Sequence, residues 1–282
     1  MNRMRLFVAV LALLLLPVAL GAASLEDLAR QLDSPNAAMR LDAVRRMGIG
    51  YNEQALTFMV RAAADPDELV RERAVQGLGN SASTNAVPPA RNALSDPVWF
   101  VRWRAVQALG RLGARDVVED LAPLVRDENW QVKTSALELL GTLGVEELKQ
   151  KNAERPAVSA GGRIRSLLGV GLENPDERVK LAAAGSLARL RDGAAFAPLL
   201  DLLRNGSLFT RDAAALALGD LGDQRAVEPL LETVVDPRNE ADDQGRDWAR
   251  WGAVKALAVL TGQDFGLRVD DWRQWLDSRK GK

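Results

Sequence analysis

Asp96 to Gly113 reads DPVWFVRWRAVQALGRLG, and its order of residue types returns along most of the 282-residue chain. An acidic residue and a proline precede an apolar residue and a base, and alanines and leucines follow. Aligned on the residue before the base, the copies are anchored at Met39-Arg40, Val70-Arg71, Val101-Arg102, Val132-Lys133, Val179-Lys180, Thr210-Arg211 and Ala249-Arg250. Neighbouring anchors are 31, 31, 31, 47, 31 and 39 residues apart. A fixed period of this size marks a repeat array, and the two long steps are the same period carrying inserts of 16 and 8 residues.

Each unit reads as two helices. Asp96 suits a helix N-cap and Pro97 the first helical position, so the second helix of that unit is expected to begin there. With Val101 as position zero, apolar residues fall at Val101, Ala105, Val106, Ala108 and Leu109, one face at helical spacing. Gly110 and Gly113 then offer the turn into the next unit. The first helix of each unit carries an apolar pair four residues apart: Leu28 and Leu32, Met59 and Ala63, Ala90 and Leu94, Leu121 and Val125, Leu168 and Leu172, Leu199 and Leu203, Leu230 and Val234. Neither stripe can be buried within one unit. The units must therefore stack into an all-α solenoid of about seven helix hairpins.

The string D-P-x-x-x-V-R-x-x-A-V-x-A-L-G from Asp96 to Gly110 resembles the HEAT-repeat family in its short HEAT-like, phycobilisome-lyase-type form. Neither W-x-x-L-G-x-x-Y nor T-P-L-H occurs, so tetratricopeptide and ankyrin arrays do not fit. The resemblance covers roughly Ser24 to Leu260. It implies a right-handed α-solenoid that acts as a scaffold and holds a partner on the concave surface of its second helices. It also implies a ladder between units in which Arg71, Arg102 and Lys133 meet Asp65, Asp96 and Asp127; Asn174 and Asn205 occupy the later acid positions and Asp236 the last. A row of anion-binding bases is the alternative, but each base has an acceptor at a repeating offset to satisfy it.

Composition removes several chemistries. The chain has no His and no Cys, which excludes Ser-His and Cys-His nucleophile pairs, imidazole metal sites, thiolates and disulfides. With 37 basic and 38 acidic residues there is no net field for nucleic acid. Some HEAT-like proteins are linked to bilin attachment, some bind metal through His-Glu motifs and some act on alkylated DNA; no acid/base pair or nucleophile set here supports such an activity. The expectation is that the protein is no enzyme and carries no cofactor.

Met1 to Ala23 reads as a signal peptide: Arg3 and Arg5, the run Leu6 to Leu20, then Gly21, Ala22 and Ala23. Pro17 interrupts the run, which is shorter than the roughly 20 residues of a membrane-spanning helix. Cleavage before Ser24 would leave a periplasmic or secreted protein with no membrane span, and a monomer is expected. Residues 24–262 are then the solenoid and 263–282 a capping segment, where Trp272 and Trp275 lie on one side of a short helix and close the open end of the core.

The first insert falls in Val145 to Arg165, where Val145 to Glu154 looks helical and Pro156 to Gly162 looks like an exposed loop. The second, Arg238 to Gly245, reads RNEADDQG. Asp236, Glu240, Asp242 and Asp243 lack the alternating ligands and glycine of a calcium loop, so no metal is expected.

The candidate binding surface is centred on units three and four. Trp99 and Trp130 both stand at position −2, so stacking should bring them about one helix spacing apart, roughly 8–10 Å. Trp103 at +2, Arg104 at +3 and Gln107 at +6 lie off the buried stripe and should face the concave side. Arg73 and Trp251 hold the +3 and +2 positions of units two and seven. Tryptophan beside arginine is a common composition of an interaction hot spot; the alternative is that the indoles cover the helix ends. Ala182 to Ala184 and Ala213 to Ala215 predict a smooth groove in units five and six. The expected function is an exported, non-catalytic scaffold for a partner protein, with binding of a cell-wall glycan or peptide as the alternative.

Overall fold

The computed structural model describes residues 23–50, 53–151, 158–235 and 248–280, and every regular element among them is helical. Seven hairpins follow one another: α1 (Leu25–Gln31) and α2 (Ala37–Gly50), α3 (Leu56–Ala62) and α4 (Glu68–Asn80), α5 (Val87–Asn92) and α6 (Trp99–Arg111), α7 (Val118–Leu121) and α8 (Trp130–Lys151), α9 (Val158–Leu172) and α10 (Glu177–Arg189), α11 (Phe196–Asn205) and α12 (Leu208–Leu221), α13 (Val227–Val235) and α14 (Trp248–Thr261). The even-numbered helices pack each on the next, and most odd-numbered ones pack mainly on their own partner. The result is the expected two-layered α-solenoid. A last helix, α15 (Val269–Lys280), lies against α13.

The sequence pattern accounts for the core. Val101, Ala105, Val106, Ala108 and Leu109 of α6 are all buried, as are Val132, Ala136, Leu137 and Leu140 of α8 and Val179, Ala183, Ala184 and Leu187 of α10. The paired stripes of the odd helices are buried too, except that Ala63 and Leu172 are half-buried. Close stacking needs small residues at the crossings. A Cβ placed on Gly79 of α4 would stand 2.8 Å from the Cα of Ala108 on α6, closer than two carbons approach.

Three rungs of the expected ladder are present. The guanidinium of Arg40 donates through Nε and Nη2 to Asp65, that of Arg71 to Asp96, and that of Arg102 to Asp127, each across 25 residues, with N–O distances of 2.7 to 3.1 Å. The third nitrogen, Nη1, donates to two backbone carbonyls of the turn before its own helix, Ser34 and Pro35, Asp65 and Pro66, or Asp96 and Pro97. Each aspartate also accepts a backbone N–H two residues on, from Asp67, Val98 or Asn129. One carboxylate thus closes a turn and ties it to the preceding unit. The fourth rung departs from expectation. The place of the aspartate is taken by Asn174, whose Oδ1 still accepts the N–H of Asp176, and the Lys133 charge acts on Asp176 through space.

Other departures are local. Helix α6 begins at Trp99 behind an N-cap at Val98, not at Pro97, because the Asp96 carboxylate is spent on Arg71 and on the Val98 N–H, which holds Asp96 and Pro97 in the turn. Gly110 stays helical, and the chain turns at Gly113 with φ of +64°, a left-handed conformation that suits glycine. Helix α7 is four residues long because Pro123 has no N–H to continue it. The described parts of the first insert are helical. Helix α8 runs on to Lys151, as expected for Val145 onward, but α9 already begins at Val158, so Val158 to Gly162 are helical and not the exposed loop expected there. Residues 152–157, the second insert and the N-terminal apolar run lie outside the described residues. No helix among the described residues is long and apolar enough to cross a membrane.

At the far end Trp272 is fully buried, donates its Nε1–H to the Gly266 carbonyl at 2.9 Å, and meets Phe265 and Trp275 edge-on at 4.8 and 6.2 Å. This is the closing role expected of that pair.

Candidate partner-binding groove

The concave layer holds a groove of about 800 Å³ that crosses α6, α8, α10 and α12. Position by position it is built from the same places in each unit. Gln107, Glu138, Gly185 and Leu216 are the four +6 residues, and Thr142, Arg189 and Asp220 are +10 residues. Ser135, Ala182 and Ala213 supply the +3 positions. These steps of three and four along each helix form one stripe, and stacking the helices lays the stripes side by side. The alanines and Gly185 keep the centre low, which is the smooth floor expected of units five and six.

Over that floor stand large apolar groups. Trp130 is 36% exposed, Leu216 39% and Phe209 76%, and Leu181 and Leu139 are half-buried. The Trp130 indole carries the Arg178 guanidinium across its face, 3.8 Å from the ring centroid, a cation–π contact. Arg178 is also held by Asp176 at 2.6 and 2.9 Å, so its charge is answered within the chain. Arg189 donates to Ser186 Oγ at 3.1 Å. Burial between the helices pushes the Glu138 carboxyl above the usual carboxylate range, against the pull of Arg189; its surface opens into the groove, but the walls exclude enough water to disfavour its charge. Asp212, at +2 of the next helix but one, is raised by burial in the same way.

Of the residues singled out in the sequence, Gln107 and Trp130 line this groove. Arg104 borders it through Gln107, to which its Nη1 donates at 2.9 Å, while its Nε is spent on Glu72 at 2.6 Å and its guanidinium lies 4.7 Å from the Trp103 ring centroid. Trp103 is half-buried against the core. Arg73 donates to Gln76 within its own helix. Trp99 packs against the core and edge-on to Phe100 at 5.7 Å, so the two −2 tryptophans go to different partners and do not form one site. Trp251 is 52% exposed and stands on α14, outside the groove lining. Phe209, Leu216, Glu138, Arg178 and Arg189 were not singled out. Reading the +6 and +10 columns through all units would have found three of them. Among the described residues no three acidic side chains cluster to hold a metal ion.

The repeat has a counterpart among known proteins. The family described as HEAT repeats matches residues 59–141 and 166–257, more than half of the chain. This chain is a member of the HEAT-repeat family. The two matched regions break where the first insert lengthens α8 and α9. Among solved structures it is similar to the complex of CpcE and CpcF of phycocyanin lyase from Nostoc sp. PCC7120, with 22% identity, 90% of this chain and 95% of that one covered, and a TM-score of 0.50. An engineered protein is similar at 18% identity, with 88% of this chain and 71% of that one covered and a TM-score of 0.54. At such identities the likeness shows the fold alone. No curated protein matches the chain.

Proposed function

We propose that this HEAT-repeat protein is an exported, non-catalytic scaffold that holds a segment of a partner protein in its concave groove. The observation that carries the reading is the continuous groove over four helices, with small residues on its floor and Trp130, Phe209 and Leu216 exposed above it. Exposed apolar side chains grouped in a concavity are the usual anchor points of a protein partner. HEAT-type arrays commonly bind protein partners along such surfaces. Export rests on Met1 to Ala23, and the non-catalytic assignment on a sequence with neither His nor Cys.

The test is Phe209→Ser with Leu216→Ser. Both side chains face water, so the melting temperature should hold while a protein captured by in-cell crosslinking is lost from the variant. Retention of the whole capture pattern would reject the groove. Co-sedimentation with purified cell wall separates the alternative, because a protein scaffold stays in the supernatant. Deletion of residues 2–23 should leave the protein in the cytoplasmic fraction; unchanged fractionation would reject export.

A further inference from the structure

The concave layer of units one to three carries more positive charge than its acids answer. On α2, α4 and α6 the bases outside the ladder are Arg45, Arg46, Arg73, Arg104 and Arg111, and the acids are Asp42, Glu68 and Glu72. Asp42 is taken by Arg46 at 3.9 Å and Glu72 by Arg104 at 2.6 Å. Glu68, at the outset of α4, adds to the field around Arg71 of the ladder. The side chains of Arg73 and Arg111 donate only to amides, those of Gln76 and Asn80, and that of Arg45 bonds nothing among the described residues. Three guanidinium charges are thus left unmatched. Arg73 is a +3 residue, Arg45 a +6 and Arg111 a +10, the same columns that line the groove in later units. Gln107 and Gly110 of α6 form the groove's own edge, and α4 and α2 pack on from there, so the basic stretch adjoins the groove.

A repeated side-chain pair fixes what this stretch can hold. Arg73 Nη1 donates to Gln76 Oε1 at 2.5 Å, and one unit later Arg104 Nη1 donates to Gln107 Oε1 at 2.9 Å. A guanidinium has only donors, so it faces the amide oxygen and leaves both N–H donors of each glutamine, which no described residue uses. The surface therefore presents chiefly donors and positive charge. Carboxylate, phosphate and sulfate all suit it, and the interspersed acids choose among their carriers. Asp42 and Glu72 stand among the arginines, and Glu138 and Asp220 line the groove beyond. A nucleic acid, with about one charge per 1.7 Å of duplex, would press phosphates against these acids. A protein segment can set single carboxylates beside the unmatched arginines and neutral residues elsewhere.

We infer that the partner segment in the groove runs on over α6, α4 and α2 and is acidic there, its aspartates or glutamates meeting Arg73, Arg45 and Arg111. This inference rests on the groove being the binding site. It adds to that reading the charge of the partner and the direction in which it extends. From α12 to α2 the segment crosses five helix spacings of about 8–10 Å, roughly the length of 12–15 extended residues.

The experiment selects random sixteen-residue peptides, displayed on phage, against the intact chain and measures dye-labelled copies by fluorescence anisotropy. Peptides selected by wild type should be enriched in Asp and Glu toward one end and poor in Lys and Arg. The triple variant Arg45→Gln, Arg73→Gln and Arg111→Gln should bind them roughly tenfold more weakly, the worth of three partly exposed ion pairs, with its melting temperature held. That difference should shrink at about 0.5 M salt, where exposed charges are screened. Glu72→Gln, which releases Arg104, should tighten the same peptides. Selected peptides that lack acids, or that bind the triple variant as well as wild type, overturn the inference; if Phe209→Ser with Leu216→Ser abolishes their binding, the groove reading still stands. A sixteen-nucleotide single strand that binds more tightly than the acidic peptides also overturns it, because the surface then takes polyanions. If no peptide is selected, the groove reading fails and this inference falls with it.

Discussion

Replacing Arg102 by methionine tests the ladder at its best-defined rung. The guanidinium reaches the Asp127 carboxylate through Nε at 2.7 Å and Nη2 at 2.9 Å, and through Nη1 the carbonyls of Asp96 and Pro97 at 2.9 and 3.1 Å. The two side chains are only 11% and 6% exposed. Methionine keeps most of the stem and removes these four bonds together with a longer one, 3.3 Å from Nη2 to the exposed Glu128. Asp127 is left charged and sheltered, with the Asn129 N–H as its remaining donor. Breaking a buried pair from one side costs about 3–5 kcal/mol, and the lower end applies here because the rung lies at the edge of the layer. A loss of about 3 kcal/mol lowers the melting temperature of a chain this size by about 6–12 °C. Urea unfolding followed by circular dichroism gives the free energy, and hydrogen exchange shows whether units three and four open before the rest, as a linear array allows. Asp127→Asn in the same chain should recover part of the loss, since no uncompensated charge remains, whereas Glu128→Gln, 80% exposed, should change almost nothing. A loss below about 1 kcal/mol for Arg102→Met, or no recovery in the double variant, would refute the reasoning and place the ladder among ordinary surface pairs.

Gly79→Ala should cost about 1–3 kcal/mol through the clash with Ala108, while Gly110→Ala, whose Cβ would meet only the flexible end of Leu139 at 3.5 Å, should be neutral or gain up to about 1 kcal/mol of helix propensity; equal effects in thermal melts would contradict the stacking geometry. Burial pushes the Asp65 carboxyl up, but the bonds from Arg40 and from the Asp67 N–H outweigh it, and the group sits below its ordinary 3.8. Its contribution is therefore complete above that value and lost as pH falls through the depressed one, so Arg40→Met should flatten the acid side of a stability-against-pH curve. For Glu138 the sign is opposite. Its raised carboxyl favours the protonated folded state, stability falls as pH rises through the folded value, and Glu138→Gln should be at least as stable as wild type at neutral pH.

The ladder was legible in the sequence because its two members keep one offset: a base at +1 meets an acid 25 residues on, wherever that acid is aspartate. Lys133 shows the limit: the 16-residue insert lengthens its offset to 41, the residue at the acid's place is Asn174, and no ion pair forms there among the described residues. The buried stripes were legible because burial repeats one residue type at one position. The groove was not, because its stripe repeats a position and varies the residue: Gln107, Glu138, Gly185 and Leu216 share no chemistry. Tryptophan drew attention instead, and at position −2 it is the first residue of the helix, with no preceding turn to fix its direction. Trp99 therefore follows Phe100 to the core while Trp130 turns into the groove under Arg178. Arg104 touches the groove only through Gln107, because Glu72, 32 residues away, holds its Nε.

The central claim is that the concave groove is occupied by a partner segment in the compartment where the protein works. A photocrosslinking amino acid placed at Leu216, in the groove, and at Glu119, on the outer layer, measures this in intact cells. The account predicts a discrete crosslinked protein from position 216 and none from position 119, lost when Phe209→Ser is added. The same product from both positions, or from neither, would contradict it.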